Sequence, residues 1–234
     1  MKNFIDRFRY YPIYKLIFNL YPKKKRILDF GCGRGELVSY LRRKGWDAYG
    51  VDPEIGDKPV SSEDAFFYSL ENIQRNIREP FDVVILNFSL EHCKDPALIL
   101  RQLYGALASR GVIFIRVPSY EHILRQKVIL SFQSKIFGHR HFFSRNSLKK
   151  IINDSGFSIL EINTRFCIAA LITIPCSIFP ALDPMIWLYE KNKIVKLTKG
   201  AILGLLSLFF LPLILFESLV GQGAIISVVA KKVN

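Results

Sequence analysis

The segment Ile27-Leu28-Asp29-Phe30-Gly31-Cys32-Gly33-Arg34-Gly35-Glu36 constrains this chain more than any other. Apolar residues around a single acid read as a buried strand. Three glycines on alternate positions then make a turn that leads into a helix. Such a turn brings bare backbone against a ligand. In the phosphate-binding pattern G-x-G-x-x-G, the third glycine stands three residues after the second, and pyrophosphate rests on the helix N-terminus. Here that position holds Glu36, whose charge opposes a phosphate. The turn therefore fits a ligand without phosphate and with positive charge.

The segments that follow repeat the strand and helix pattern. Residues 36–44 place Leu37 and Leu41 on one helical face and end at Gly45, a C-cap residue. Trp46 to Asp52 alternates as a second strand, ending 21 residues beyond Gly31 on an acid that can accept both hydroxyls of a ribose. A helix over 61–79, opened by Ser61 or Ser62, comes next. Phe81 to Asn87 is a near-continuous apolar run, the mark of a strand buried on both faces. A helix over 97–108 closed by Gly111, a strand over 112–117, a helix over 145–155 and strands over 158–163 and 224–230 complete the reading. Strands separated by helices throughout 26–163 predict an α/β fold with a doubly wound, mostly parallel sheet.

The glycine turn, together with Phe81-Asp82-Val83-Val84-Ile85-Leu86-Asn87-Phe88-Ser89-Leu90-Glu91-His92-Cys93-Lys94-Asp95-Pro96, resembles motif I and the fourth-strand motif of the class I S-adenosylmethionine-dependent methyltransferases, of the type 11/23-like group. His139-Arg140-His141-Phe142-Phe143-Ser144 extends the match. The resemblance implies a Rossmann-like sheet of seven strands and S-adenosylmethionine as cofactor, a ligand with an ammonium and a sulfonium. It implies that Asp29 holds the ammonium, directly or through water. Gly31, Cys32, Gly33 and Gly35 would border the cofactor, Asp52 would hold its ribose, and Asn87 would line the site through its backbone. No adenine-contacting acid is carried over, because the chain is shortened after Asp52.

A hydroxyl acceptor benefits from a general base, and His92, His139 and His141 are the candidates. Glu91 is a further acid or base, or simply a charge at a helix N-terminus. Cys32 and Cys93 lack any activating arrangement. The four cysteines, with Cys167 and Cys176, form no C-x-x-C pair and no metal-ligand spacing, so no metal site is expected and a reducing compartment is the plain reading.

With 234 residues, half of them hydrophobic, the chain is long enough for one packed domain and an extension. Residues 1–24 read as a basic, aromatic N-terminal helix, lying either on a membrane or over a substrate cleft. Residues 25–165 with 222–234 read as the methyltransferase domain, and 166–221 as a hydrophobic helical insertion before the last strand. Two apolar stretches, 166–189 and 200–220, flank a lysine-rich connection over 190–199. The second is long enough to span a bilayer, but two crossings would place that basic loop on the far side, against the positive-inside rule. In-plane insertion, a two-pass hairpin, and a buried subdomain or dimer interface all remain open.

The net charge of +13 calls for an anionic partner, nucleic acid or a membrane surface. Asn87 is followed by Phe-Ser-Leu rather than the two prolines and aromatic of base-methylating enzymes, which counts against nucleic acid. No secretory signal is read at the N-terminus, so the catalytic part is expected in the cytoplasm. The leading expectation is methyl transfer to a small-molecule, lipid or lipid-linked acceptor at the cytoplasmic membrane face. A nucleic-acid methyltransferase and a non-catalytic membrane adaptor are the alternatives.

Overall fold

The structure is a computed structural model that describes residues 2–21, 25–53, 65–119, 121, 138–165, 171, 175–176, 178–182, 192–223 and 225–233. Its strands are β1 (Arg26–Phe30), β2 (Asp47–Val51), β3 (Phe66–Phe67), β4 (Phe81–Asn87), β5 (Leu107–Pro118), β6 (Phe157–Arg165) and β7 (Ile225–Lys232). The helices among the described residues are α1 (Lys2–Leu20), α2 (Glu36–Arg43), α3 (Leu70–Asn76), α4 (Pro96–Ala106), α5 (Arg145–Asp154) and α6 (Lys193–Leu219). The strands form one seven-stranded sheet in the order β3-β2-β1-β4-β5-β7-β6. The pairs β2–β3, β1–β2, β1–β4 and β4–β5 run parallel. The expected α/β sheet of seven strands, with an apolar helix before the last of them, is therefore present.

β1 and β4 occupy the middle of the sheet because their sequences can be buried on both faces. Ile27, Leu28, Val84, Ile85 and Leu86 are fully enclosed. The entry to β1 is fixed by charge. The Arg26 backbone N–H donates to Asp82 Oδ2 at 3.0 Å, its Nε to Asp47 Oδ2 at 2.7 Å, and its Nη1 pairs with Glu79 at 3.2 Å. One residue thus ties the start of β1 to the starts of β2 and β4.

Several elements differ from the sequence reading. Ser61 and Ser62 lie outside the described residues, and the helix that follows is α3, capped by Ser69, whose Oγ accepts from Asn72 N at 3.1 Å. The two-residue strand β3 precedes it, supplying the seventh strand that a pattern search over four or more residues passes over. α4 stops at Ala106, and Gly111 lies inside β5 instead of closing a helix. Leu107 already pairs with Phe81, and Arg110 takes a left-handed φ of 64° where the strand is irregular. Lys193 to Lys199 belong to α6, because the Asn192 side chain accepts from Ile194 N and Val195 N and starts the helix there.

The chain divides into two compact units. The first comprises Met1–Arg116, Lys149–Glu161 and Val228–Asn234; the second comprises Val117–Leu148 and Ile162–Ser227. In the first, α1 contributes Tyr10, Ile13 and Ile17 at helical spacing to the core that also holds Ile27, Leu41 and Val83. α1 is therefore a packed helix of that unit, with Tyr11, Phe18 and Leu20 left exposed. In the second, Arg145 is fixed by its backbone N–H to Glu121 Oε2 at 3.1 Å and by its guanidinium to the Ile162 carbonyl at 2.9 Å. There Cys176, Leu182 and Leu203 form a separate small apolar cluster.

Ile17 is 1% exposed. Replacing it with alanine is expected to lower stability by about 2–4 kcal/mol, read by denaturant unfolding. A change below about 0.5 kcal/mol would mean that α1 does not belong to the core.

Candidate cofactor site

Strand order reverses between β1 and β4, and in open α/β sheets ligands bind at the carboxyl ends of the strands at such a switch point. β1 ends there in Asp29-Phe30 and the glycine turn, β2 in Val51-Asp52, and β4 in Asn87-Phe88-Ser89. Asp29, Gly31, Cys32, Gly33, Gly35, Asp52 and Asn87 are thus brought together, all within the first unit.

The three glycines of the turn have different tasks. All take left-handed backbone, with φ of 76°, 52° and 72° at Gly31, Gly33 and Gly35. A side chain on Gly31 would overlap the Cβ of Ser89, and one on Gly35 would enter the ring of Phe66. Those two glycines are required by the protein's own packing. A Cβ on Gly33 would meet nothing within 4 Å among the described residues, so of the three Gly33 alone turns toward open space there.

Backbone bonds hold the turn in place. Gly31 N and Cys32 N donate to the Val51 carbonyl at 2.7 and 3.2 Å, and Gly33 N donates to Asp52 Oδ2 at 2.8 Å. Asp52 is in turn fixed by its own N–H to the Phe67 carbonyl at 3.0 Å. The short strand β3 therefore positions the acid that faces the glycine turn. Cys32 packs its sulfur toward Gly50, and burial pushes its thiol well above the usual range. It serves as a wall, not as a nucleophile.

Asp29 is 3% exposed, and its carboxyl is pushed up to about 7, first by burial and second by the charge of Asp52. Two carboxyls brought together at an apolar strand end favour a cation between them. Glu36 starts α2 and accepts a hydrogen bond from the Tyr10 hydroxyl at 2.7 Å. This bond joins α1 to the helix that leaves the glycine turn. With Asp29 and Asp52 at adjoining strand ends and Glu36 at the start of α2, the site is set against a pyrophosphate.

The loop after β4 carries features that the sequence did not disclose. Phe88 holds a φ of 58°, rare and costly for a bulky residue at about 1–3 kcal/mol. Its N–H donates to the Arg116 carbonyl at 2.9 Å, and the Arg116 guanidinium lies 5.2 Å from its ring centre. Asn87 Oδ1 accepts a long bond from Arg116 Nη1 at 3.4 Å, and Asn87 pairs with Arg116 at the end of β4.

Glu91 lies in a single 3-10 turn with His92 and is 1% exposed, so it is not a solvated helix-terminal charge. Neither of its carboxylate oxygens, nor the buried Ser89 hydroxyl, has a hydrogen-bond partner among the described residues. Burial pushes the Glu91 carboxyl up to about 7 and, with the charge of Glu91, the Cys93 thiol up to about 11. His92 is exposed. His139 and His141 belong to the second unit and are half-buried, with the His141 ring 6.2 Å from that of Phe143.

The residues fit a cofactor with a cationic end and a ribose. Asp29 supplies a buried charge in want of a cation, Asp52 ends β2 as an oriented acceptor, and Gly33 leaves the room. Gly31→Ala is expected to destabilise the fold by at least about 1–3 kcal/mol in thermal or denaturant unfolding. Gly33→Trp is expected to stay folded and to lose cofactor binding by calorimetry. Equal loss of stability in both variants would contradict the division of tasks.

A family model described as a methyltransferase domain matches residues 5–162. The ubiquinone biosynthesis O-methyltransferase of Psychrobacter arcticus is 28% identical over 156 residues, which make up 59% of this chain and 61% of that protein. The protein of the same name from Azorhizobium caulinodans is 34% identical over 101 residues, 40% of each chain. The chain thus spans between two fifths and three fifths of the length of these curated relatives. Among solved structures, phosphoethanolamine N-methyltransferase 2 of Haemonchus contortus in complex with S-adenosyl-L-methionine superposes with a TM-score of 0.59 at 17% identity, over 94% of this chain and 52% of that one. A SAM-dependent methyltransferase of Archaeoglobus fulgidus gives 0.53 at 18% identity, over 98% and 99%. At such identities the likeness is one of fold, while the family match covers most of the chain. The chain belongs to the S-adenosylmethionine-dependent methyltransferase domain family.

Proposed function

We propose that this chain transfers a methyl group from S-adenosylmethionine to an oxygen of a small-molecule, lipid or lipid-linked acceptor at the cytoplasmic face of a membrane. The observation that carries the reading is the pair Asp29 and Asp52 beside the open flank of Gly33 at the sheet's switch point. The relatives named ubiquinone biosynthesis O-methyltransferases support oxygen as the accepting atom. The helix over Lys193–Phe216, long and apolar enough to cross a membrane, supports a membrane location.

When bound, the cofactor supplies an electrophilic methyl group on its sulfonium. Asp29 holds the ammonium, Asp52 the ribose hydroxyls, and the Gly33 backbone lies alongside. The protein's main contribution is to align the acceptor oxygen with the methyl group, because in-line displacement depends on orientation. An oxygen acceptor that takes the methyl group would give up its hydroxyl proton to a base of this chain. His92, His139 and His141 are the candidates for that base. Replacing the true base with alanine is expected to lower the single-turnover rate about 10²–10⁴-fold, with partial recovery at high pH, while the other two variants stay within a few-fold. Uniformly small effects in all three would remove histidine from the mechanism.

The Asp29 carboxyl, with its pKa raised from 3.8 to about 7, gives a pH signature. Below that value the group is protonated in the cofactor-free protein, and holding an ammonium requires the proton to leave. Cofactor affinity is therefore expected to rise about tenfold per pH unit up to about pH 7 and then to level off. Asp29→Asn is expected to bind weakly and without that slope. Calorimetry across pH checks this, and an unchanged slope in Asp29→Asn would assign the titration to another group.

The acceptor class is tested by incubating the full chain with methyl-labelled cofactor and a membrane lipid extract. Label is expected in an organic-soluble product. Label entering only added RNA or DNA would favour the nucleic-acid reading suggested by the charge of +13. Cofactor binding without any transfer would favour an adaptor.

A further inference from the structure

We infer that α6 lies in the plane of a membrane surface, with one apolar stripe sunk into a single leaflet, and does not cross the bilayer. The inference rests on the membrane-face reading proposed above and specifies how that face is engaged. The exposed large apolar side chains of α6 are Ile194, Leu197, Ile202, Leu205, Leu208, Phe209, Leu215, Phe216 and Leu219. At 3.6 residues per turn they fall within an arc of about 140°. The stripe runs about 38 Å along the helix, at 1.5 Å per residue. Pro212 lies within about 10° of the stripe's angular midline, and no charged residue occurs between Gly200 and Phe216.

The stripe is the outward side of a helix whose other side is partly covered by the protein. Leu203 and Ile214 are buried, and Leu203 packs with Cys176 and Leu182. The Ser207 hydroxyl donates to the Leu171 carbonyl at 2.6 Å on that same side. A helix that crosses a bilayer alone meets acyl chains all round, whereas the large exposed side chains of α6 are gathered on one face. That face is strongly exposed along its length, with Leu205 at 70%, Phe209 at 75% and Leu219 at 86%.

Charge points to anionic lipid as the occupant, in preference to a second copy of the chain. Lys193 and Lys199 fall about 110° and 130° from the stripe's centre, one on either side, at 3.6 residues per turn. In an in-plane helix these are the positions from which lysine reaches headgroups while its stem covers apolar surface. The chain as a whole carries +13, which draws it to an anionic surface and drives two copies apart.

The test uses the full chain with Leu197→Trp, Leu205→Trp or Phe216→Trp and vesicles of phosphatidylglycerol and phosphatidylcholine. The lipids are brominated either near the headgroup or near the chain ends, and the signal of the parent's Trp46 and Trp187 is subtracted. An in-plane helix predicts that the three tryptophans are quenched alike, within about 20% of one another, and mainly by the shallow label. It also predicts that Leu208→Glu with Phe209→Glu weakens vesicle binding at least about tenfold, with cofactor affinity unchanged. Deep quenching at Leu205→Trp with shallow quenching at the other two would overturn the in-plane helix and leave the membrane-face reading standing. Failure to sediment with vesicles, with the stripe tryptophans shielded in a concentration-dependent dimer, would overturn both.

Discussion

The close approach of Gly31 to Ser89 is the constraint on which the rest of the site depends. It pins the turn after β1 to the loop after β4, at the place where the sheet's strand order reverses. On its other side the same turn is bonded to the Val51 carbonyl at the end of β2. Gripped from both sides, the backbone of the turn has little freedom, and among the described residues the flank of Gly33 is left open. The site is thus a gap defined by packing, and a methyl group added at Gly31 would collide with Ser89 in the loop after β4.

That grip also sets the electrostatics. Because β1 and β2 are parallel neighbours in register from Arg26↔Asp47 to Phe30↔Val51, Asp29 and Asp52 come to lie at adjoining strand ends. Burial first, and the charge of Asp52 second, push the Asp29 carboxyl up to about 7. A cationic ligand relieves this cost, and a phosphate would increase it. The exclusion of phosphate first read from Glu36 therefore rests on three acids. Glu36 has a structural task as well, since it receives the Tyr10 hydroxyl and ties α1 to the start of α2.

The parts legible in the sequence are those where one physical signal dominates. β1 and β4 were readable because continuous apolar runs suit strands buried on both faces, whereas the cap of α4 at Asp95, which accepts from Leu98 N at 2.9 Å, went unread. β3 was not readable, because its two residues owe their conformation to pairing with Gly50 and Val51 and not to any local preference. Gly111 misled for a similar reason, since the pairing of Leu107 with Phe81 ends α4 before the glycine is reached. The start of α6 was missed because lysines look like a loop when the Asn192 cap is not weighed. Within the site, the strand and turn pattern was enough to bring Asp29, the glycine turn, Asp52 and Asn87 to one end of the sheet, but the separate tasks of the three glycines depend on Ser89 and Phe66, which are distant in sequence.

The central claim is that the turn at Gly31 to Gly35, with Asp29 and Asp52, selects a cationic ligand without phosphate. It is tested most directly by calorimetric titration of the full chain with S-adenosylmethionine and, separately, with NAD. One-to-one binding of S-adenosylmethionine with no heat from NAD is the result this account predicts. Comparable binding of NAD, or no binding of S-adenosylmethionine by folded protein, would contradict it.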